Sequence, residues 1–302
     1  MNVLIVGFGS IAKKHCQALL TINPDTNIFA LRSNNNAEIF SGITNIYDPN
    51  QLSKIKFDFI IISSPTFLHE KHIRDMIQLN KPLFIEKPLA NKLEIKKIID
   101  LVDTHQIKTY IACNLRFLES LIYVKKQYSN LFDQINEINA YCGSYLPYWR
   151  PGQDYKKGYS ASSKMGGGAH LDLIHELDYL YWFFGSPNKT TKLLKSNSTL
   201  EIDSIDYANY VLEYENFVAS VILNYFRKDA KRTLEIVMDD KTVLVDLIEN
   251  KVYENGIVVF QSSQKAIDTY ESQLRYFLKS IDTGKSNFND IEEAYEILKM
   301  CL

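Results

Sequence analysis

The sequence predicts an α/β fold built from an amino-terminal doubly wound parallel sheet and a carboxyl-terminal α+β domain with an open, mainly antiparallel sheet. A glycine turn follows the first apolar segment and precedes a helical one. Strand-like and helix-like segments then alternate over roughly the first 115 residues, as in parallel sheets. From about Gln134 onward, segments of alternating apolar and polar residues follow one another instead. That second pattern is typical of antiparallel sheets with one covered face.

Composition excludes several classes of function. The 302 residues suffice for two domains, which we assign to 1–115 and 116–302, and 46% of them are hydrophobic. A net charge of −2 without clustered Lys or Arg argues against nucleic-acid and membrane partners. The four cysteines form no C-x-x-C pair, which indicates reduced thiols and a cytoplasmic protein. We find neither a signal peptide nor an apolar stretch of transmembrane length.

The glycine turn is the organising feature of the chain. Val3 to Val6 predicts a buried strand, and Ile11 to Ile22 predicts the helix behind the turn. In such a unit the first glycine permits a tight turn, the second lets backbone approach a pyrophosphate, and a third small residue lets the helix pack on the strand. The helix N-terminus then faces the phosphates. We therefore predict a dinucleotide site at Gly7, Gly9, Ser10, Ile11 and Ala12.

The end of the second strand bears on the choice of cofactor. Asn27 to Leu31 predicts that strand, and Arg32-Ser33-Asn34 follows it. An acidic residue at this place binds the ribose hydroxyls of NAD, whereas an arginine suits the 2′-phosphate of NADP. Arg32, with Ser33 beside it, therefore favours NADP(H) over NAD(H). A solvated surface arginine is the alternative.

Polar residues follow the later strands of the parallel sheet, at the edge where such sheets bind ligands. Strands are predicted at Ile43 to Ile46, Phe57 to Ile62, Leu83 to Ile85 and Thr109 to Ala112, with helices at Thr66 to Leu79 and Lys92 to Gln106. The polar residues are Ser63, Ser64 and Pro65 with His69, then Glu86-Lys87-Pro88, then Asn114 and Arg116.

The second domain is predicted as a run of strands closed by two helices. The strands are 135–144, 189–197, 206–214, 217–226, 232–238 and 241–247, and the helices are Ile267 to Ile281 and Ile291 to Leu302. Between the first two strands lie an aromatic loop, Tyr145 to Tyr159, and a glycine-rich helical segment, Gly166 to Asp178.

Four motifs together resemble those of the Gfo/Idh/MocA family of NAD(P)-dependent oxidoreductases. They are Gly7 to Ala12, Ser63-Ser64-Pro65 with His69, Glu86-Lys87-Pro88, and the glycine-rich helix leading to His175. The resemblance implies a Rossmann domain for NAD(P), a second domain for substrate binding and oligomerisation, and a homodimer or homotetramer. It implies hydride transfer at a hydroxyl or keto carbon of a sugar, cyclitol or sugar nucleotide. It also implies that the proline peptide is often cis, and that Ser63, Ser64, Pro65, His69 and Glu86 belong to the cofactor site.

Three residues are predicted to carry the chemistry. Lys87 ends a strand at the ligand edge, where it can stabilise charge developing on the reacting oxygen; the resemblance adds contact with the nicotinamide. Asp172 and His175 stand three apart and would share a face of one helix. Histidine is suited to proton transfer near neutrality, and Asp172 would orient it or bind a substrate hydroxyl. The alternative is a capped core helix with a structural histidine.

The spacing of that pair departs from the commonest family pattern, in which the aspartate precedes the histidine by four residues. The shorter Asp-x-x-His-Glu-x-Asp version, at residues 172–178, resembles a subgroup from bacterial surface-sugar pathways, including nonulosonic (legionaminic-type) acid synthesis. His170, Asp172, His175 and Asp178 are residue types that can ligate zinc, but Tyr179 stands where H-E-x-x-H needs its second histidine. We predict no metal, and expect Asp178 to cap or pair within its domain.

The remaining candidates concern substrate and ribose. Asn114 is predicted to hold the nicotinamide ribose, and Arg116 to grip a carboxylate or phosphate at two points, with a structural hinge role as the alternative. Tyr148, Trp149 and Arg150 combine aromatic faces with a cation, which suits a sugar ring and an anionic group or else a subunit contact.

Two other functions compete with a sugar dehydrogenase. One is an NAD(P)-binding regulator without catalysis, which would not need Lys87, Asp172 and His175 together. The other is a reductase of a non-sugar substrate, such as an imine or a biliverdin-type tetrapyrrole.

Overall fold

The computed structural model describes residues 1–33, 40–284 and 289–302. Its α-helices are α1 Ser10–Ile22, α2 His69–Ile77, α3 Lys96–Thr104, α4 Glu119–Tyr128, α5 Ala169–Asp172, α6 His175–Phe184, α7 Asp268–Thr283 and α8 Ile291–Cys301. Its strands are β1 Asn2–Val6, β2 Asn27–Leu31, β3 Ile43–Ile46, β4 Phe59–Ile62, β5 Leu83–Ile85, β6 Thr109–Ile111, β7 Ile135–Gly143, β8 Lys189–Lys195, β9 Tyr207–Glu213, β10 Val218–Asn224, β11 Lys231–Met238, β12 Thr242–Asp246, β13 Lys251–Glu254 and β14 Ile257–Gln261.

The chain divides into two compact units. The first comprises Met1–Cys113, Tyr270–Leu298 and Leu302, and the second comprises Asn114–Thr269 and Lys299–Cys301. The predicted boundary after residue 115 lies two residues beyond the first crossing at Cys113. Both final helices are predicted in the second domain, whereas most of their residues lie in the first unit.

The sheet of the first unit is parallel throughout its described part, with the strand order β3-β2-β1-β4-β5-β6. This confirms the predicted doubly wound sheet. Strands β1 and β4 are apolar runs buried on both faces, with Val3–Val6 and Phe59–Ile62 at most 1% exposed. Because strand order reverses beside β1, the turns after β1 and β4 lie at the switch point where such sheets bind ligands.

Aromatic packing explains why α7 belongs with the first unit. The Phe277 ring lies 5.3 Å from that of Phe59 and 5.4 Å from that of Phe84, and Tyr110 completes the cluster. Phe277 and Leu274 are fully buried there. The apolar face of α7 therefore covers β4, β5 and β6, a choice that its helical spacing alone does not reveal.

The second unit holds a mainly antiparallel sheet in the order β14-β13-β12-β11-β7-β10-β9-β8, as predicted. The pair β7–β10 is parallel. Alternate residues of β7 are buried, as in Ile138, Ala140 and Cys142, and α6 contacts this strand. Helix α4 and strands β13 and β14 are not predicted from the sequence. A hairpin signal was present for the two strands, because Asn255 and Gly256 both have positive φ in a two-residue turn.

All four cysteines are buried and carry free thiols. Within the described ranges, no helix combines the length and apolarity needed to cross a bilayer.

Candidate active site

The glycine turn is interlocked with the turn that follows β4. Gly7 has φ +83°, and a Cβ there would lie 2.7 Å from the Ser64 Cα atom. The Ser63 hydroxyl donates to the Gly7 carbonyl at 2.9 Å. A side chain at position 7 would therefore meet both backbone strain and a clash with backbone, so glycine is required.

The N-terminus of α1 suits a pyrophosphate. The helix begins at Ser10. Its N-cap residue is Gly9, which has no side chain to accept a hydrogen bond from the first turn. Among the described residues, no atom lies within 4 Å of the place where a Cβ at Gly9 would stand. Ala12 is fully buried on the side that packs on the sheet. The first-turn N–H groups can therefore serve an anionic ligand, as the predicted cofactor requires.

A cavity of 570 Å³ opens beside this turn, within the size range of small-molecule sites. Five of the predicted cofactor residues line it: Gly7, Arg32, Ser33, Ser64 and Pro65. Tyr47, Asn50, Lys71 and His72 line it as well, and the sequence analysis did not select them. The structure thus brings residues from the ends of β1, β2 and β4 around one volume.

Arg32 forms part of the cavity wall. Its Nη1 donates to the Asn45 side chain at 3.2 Å, and its guanidinium lies 5.2 Å from the centre of the Phe8 ring. The side chain is therefore held between β3 and the glycine turn. Asn34, which the sequence analysis placed in the same loop, lies outside the described residues.

The structure does not support His69 as a cofactor contact. Its side chain is 1% exposed, and its two ring nitrogens lie 3.0 Å and 2.9 Å from the carbonyl oxygens of Pro88 and Ser64. The ring is therefore engaged by backbone. His72 lines the cavity instead, with Nδ1 2.8 Å from the Ser64 hydroxyl. Burial and the Lys71 charge lower the pKa of His72 to about 4, so it is neutral at pH 7.

Glu86 was also predicted to contact the cofactor, but its carboxylate faces α1. Its Oε1 lies 2.5 Å from Nε2 of His15, and both side chains are buried. His15 escaped the sequence analysis, although it lies one turn after Ile11 on the buried face of α1. Lys87 is half-buried directly after this pair, and its peptide bond to Pro88 is cis. Lys87 thus lies at the carboxyl end of β5, where the sequence placed it.

In the second unit, the expectation that Asp172 and His175 share one helix is wrong. Helix α5 ends at Asp172 and α6 begins at His175, because Leu173 leaves helical geometry with φ −104° and ψ 28°. The N–H groups of Leu171 and Asp172 both donate to the Gly168 carbonyl, which closes a short first helix. The two side chains therefore lie on separate helices, and the face-sharing argument does not apply.

Asp172 has a partner that the sequence did not reveal. The Tyr225 hydroxyl donates to its carboxylate at 2.6 Å. Burial and the Asp172 charge raise the pKa of Tyr225 well above its usual value, so the phenol remains a donor. The Tyr225 ring packs edge-on against Trp149 at 5.2 Å. Trp149, a predicted substrate contact, is thereby linked to Asp172 through one aromatic side chain.

Removing that donor is expected to lower activity. We expect Tyr225→Phe to reduce kcat/KM about 10- to 100-fold, because a hydrogen bond to a charged group is worth about 1.5–3 kcal/mol. Steady-state kinetics checks this. Tyr214→Phe is the matched control, since Tyr214 is half-buried and its hydroxyl lies 3.4 Å from the Gly185 carbonyl. Equal kinetics for the two variants would contradict a role for Tyr225 at Asp172.

Arg116 is unsuited to grip a substrate. Its side chain is fully buried, with Nε 3.0 Å and Nη2 2.8 Å from the two carboxylate oxygens of Asp178. The expected two-point contact is thus made with Asp178, which pairs within its domain as predicted. A second pair joins Arg232 to the buried Glu176. Asn114 is also buried, and its amide donates to the Thr269 hydroxyl at 2.7 Å.

The aromatic loop contributes exposed groups. Tyr148 is 66% exposed and packs edge-on against Tyr145, and Arg150 is exposed as well. Trp149 is half-buried and donates from Nε1 to the Ser144 hydroxyl at 2.8 Å. Residues 148–150 remain a predicted substrate contact. Over the residues with described positions, no group of three or more His, Cys, Asp or Glu could hold a metal ion.

Two family models match separate parts of this chain. Residues 1–112 match the family model described as the GFO/IDH/MocA oxidoreductase family, NAD-binding Rossmann fold, and residues 132–244 match the GFO/IDH/MocA C-terminal domain. Glucose-6-phosphate 3-dehydrogenase of Bacillus subtilis is 24% identical over 84% of this chain. The alignment spans 66% of that relative's length.

Solved structures share the fold. A levoglucosan dehydrogenase in complex with NADH and levoglucosan has a TM-score of 0.85 and 17% identity, over 100% of this chain and 95% of that one. The UDP-N-acetylglucosamine 3-dehydrogenase of Acidithiobacillus ferrooxidans has a TM-score of 0.81 and 18% identity, with the same coverage.

Proposed function

The chain belongs to the Gfo/Idh/MocA family of NAD-binding oxidoreductases, and we propose that it is an NAD(P)-dependent dehydrogenase of a sugar-type substrate. The observation that carries the proposal is the 570 Å³ cavity at the switch point, bordered by the glycine turn. The three similar proteins support the substrate class, since their names specify glucose-6-phosphate, levoglucosan and UDP-N-acetylglucosamine.

The proposed roles divide the chemistry between three side chains. A bound nicotinamide supplies or accepts the hydride. Lys87 donates a hydrogen bond to the substrate oxygen and stabilises negative charge on it. His175 takes the hydroxyl proton in the oxidative direction and returns it in the reductive direction. Asp172, held by the Tyr225 hydroxyl, orients the substrate or His175.

The proposal includes a preference for NADP(H) over NAD(H). Arg32 lines the cavity, and we assign its guanidinium to the 2′-phosphate; Lys71 lines the cavity as well but is paired with Asp75 at 2.8 Å. The similar levoglucosan dehydrogenase was solved with NADH, so a preference for NADP(H) would distinguish this chain from that protein's complex.

Cofactor preference is expected to depend on Arg32. We expect Arg32→Ala to lower kcat/KM for NADP about 10- to 100-fold, because a charge-assisted hydrogen bond to phosphate is worth about 1.5–3 kcal/mol, and to leave kcat/KM for NAD nearly unchanged. Initial rates with both cofactors check this, with the exposed Lys97→Ala of α3 as the control. A wild-type preference for NAD would contradict the interpretation of Arg32.

Substrate class is tested by a screen over free sugars, sugar phosphates and nucleotide-activated amino sugars, following reduced-nicotinamide absorbance. We propose that the protein acts in the cytoplasm, in bacterial surface-sugar biosynthesis of the nonulosonic acid type. Turnover of a nucleotide-activated or amino sugar would support it. Tight cofactor binding without turnover of any sugar would favour the non-catalytic regulator, and turnover of an imine or tetrapyrrole alone would favour the non-sugar reductase.

We also propose that the second unit self-associates through the uncovered face of its sheet. Leu193, Val211 and Val218 lie on that face according to the strand register, and they are 50%, 36% and 43% exposed. Adjacent exposed apolar residues favour an interface with a second copy. Light scattering is expected to report a dimer or tetramer, and a monomer at micromolar concentration would contradict it.

A further inference from the structure

The two residues that flank Lys87 are each contacted by a buried histidine from a different helix. Glu86 precedes Lys87 and meets His15 of α1, with 2.5 Å between carboxylate Oε1 and ring Nε2. Pro88 follows Lys87, and its carbonyl lies 3.0 Å from Nδ1 of His69 in α2. His15 and His69 are 0% and 1% exposed. Neither histidine lines the cofactor cavity.

His69 joins two turns of the sheet edge. Its Nε2 lies 2.9 Å from the Ser64 carbonyl, and Ser64 is the residue against which Gly7 packs. Carbonyl oxygens only accept, so a ring nitrogen must carry a proton to bond either of them. Burial lowers the pKa of His69, so the ring is neutral and donates from one nitrogen only; a proton on Nδ1 bonds the Pro88 carbonyl. The ring therefore packs between the Lys87 turn and the turn that borders the cofactor cavity, and it bonds the Lys87 turn.

The His15 ring is packed against two aromatic rings. Its ring contacts those of Phe84 at 5.1 Å and Tyr270 at 5.5 Å, both edge-on. The Glu86 carboxylate is itself 8% exposed and is thus largely removed from water by this packing. A buried carboxylate is tolerated only with a hydrogen-bond partner, and His15 is that partner. The end of β5 is thereby tied to α1 immediately before Lys87.

We propose that His15 and His69 are positioning residues that brace the Lys87 turn from both sides, so that the Lys87 ammonium reaches the reacting oxygen in one orientation. This rests on the proposed function, in which Lys87 bonds that oxygen. Lysine has a long side chain with many rotamers, so its reach is set by how well its backbone is held. His15 and His69 hydrogen-bond the two residues that flank Lys87, whereas apolar side chains would fill the same space without bonding either of them.

Steady-state kinetics tests whether His15 and His69 position Lys87. We expect His15→Leu and His69→Leu each to lower kcat about 10- to 100-fold, the loss typical of a misplaced catalytic group, with a less than about threefold change in the Kd for NADP. His15→Gln and His69→Gln keep an N–H donor and are expected to recover most of the lost activity. His105→Gln, on an exposed histidine of the same unit, serves as the control. Full activity in both leucine variants would overturn the brace.

A second measurement does not depend on turnover. We expect amide hydrogen exchange of residues 83–90 in the cofactor-free protein to rise in the leucine variants, while exchange of Val3–Val6 in β1 stays unchanged. A uniform rise across the unit would overturn the proposal, because the histidines would then be ordinary core residues. If a Lys87 variant kept full turnover, the proposed function would fail, yet the exchange result would still decide whether the brace exists.

Discussion

Replacing Lys87 with methionine is expected to lower kcat about 100- to 1,000-fold and to change the Kd for NADP less than about threefold. Lys87 lies at the carboxyl end of β5, outside the set of residues that line the cavity. Its proposed task is to stabilise charge on the reacting oxygen, and loss of one such donor costs about 2.7–4 kcal/mol of transition-state stabilisation. Methionine keeps the apolar stem and removes the ammonium, so cofactor binding should survive.

Stopped-flow measurement of hydride transfer, with cofactor titration by fluorescence, separates the two effects. His175→Ala should give a comparable loss with the same retained affinity, since it removes the proposed proton carrier. Lys97→Met is a matched control, because it makes the same chemical change at an exposed position of α3. Undiminished turnover in the Lys87 or His175 variant would exclude the proposed mechanism.

The second large effect concerns the Arg116–Asp178 ion pair, in which both side chains are fully buried. We expect Asp178→Ala to lower the free energy of unfolding by about 3–5 kcal/mol, because it leaves the Arg116 charge buried without its counter-ion. Asp178 lies one turn into α6, the helix that begins at His175. The pair therefore also fixes the helix on which the proposed proton carrier stands.

Urea denaturation, with a probe confined to the second unit, measures this loss. The double variant Arg116→Met/Asp178→Leu is expected to regain most of the stability, because paired apolar side chains replace a buried ion pair at little cost. Lys156→Ala is the control, since its contact with Glu201 at 2.9 Å is at the surface and should add nothing measurable. A small loss in Asp178→Ala would mean that water reaches Arg116.

The first sheet was predictable because its signals are local. Four apolar residues before a glycine turn, and strands that alternate with helices, determine a parallel sheet through hydrogen bonding and burial on both faces. The strands at Asn27 to Leu31, Ile43 to Ile46 and Leu83 to Ile85 were placed at their observed bounds. Length does not explain the missed elements, because α4 is one residue longer than the predicted α2 and α3, and the Asn255-Gly256 turn is itself a signal for the β13–β14 hairpin.

The sequence predicted which strand ends border the candidate site, but it did not predict which polar side chains pair with one another. Residues after β1, β2 and β4 meet around one cavity because carboxyl ends of parallel strands share one edge. The hydrogen-bond partners of Arg116, Glu86 and His69 could not be predicted from the order of the strands. A buried arginine that grips Asp178, 62 residues away, has the same sequence signature as one that grips a substrate.

The sequence by itself therefore determined the parallel sheet, the glycine turn and the position of Lys87 just after β5, because these depend on backbone conformation and periodicity within short segments. Only the tertiary structure decided which polar groups pair. Partners such as Tyr225 for Asp172, His15 for Glu86 and Asp178 for Arg116 are distant in the chain. Their hydrogen bonds are selected by burial, which requires each polar group to find a partner wherever packing brings one within reach.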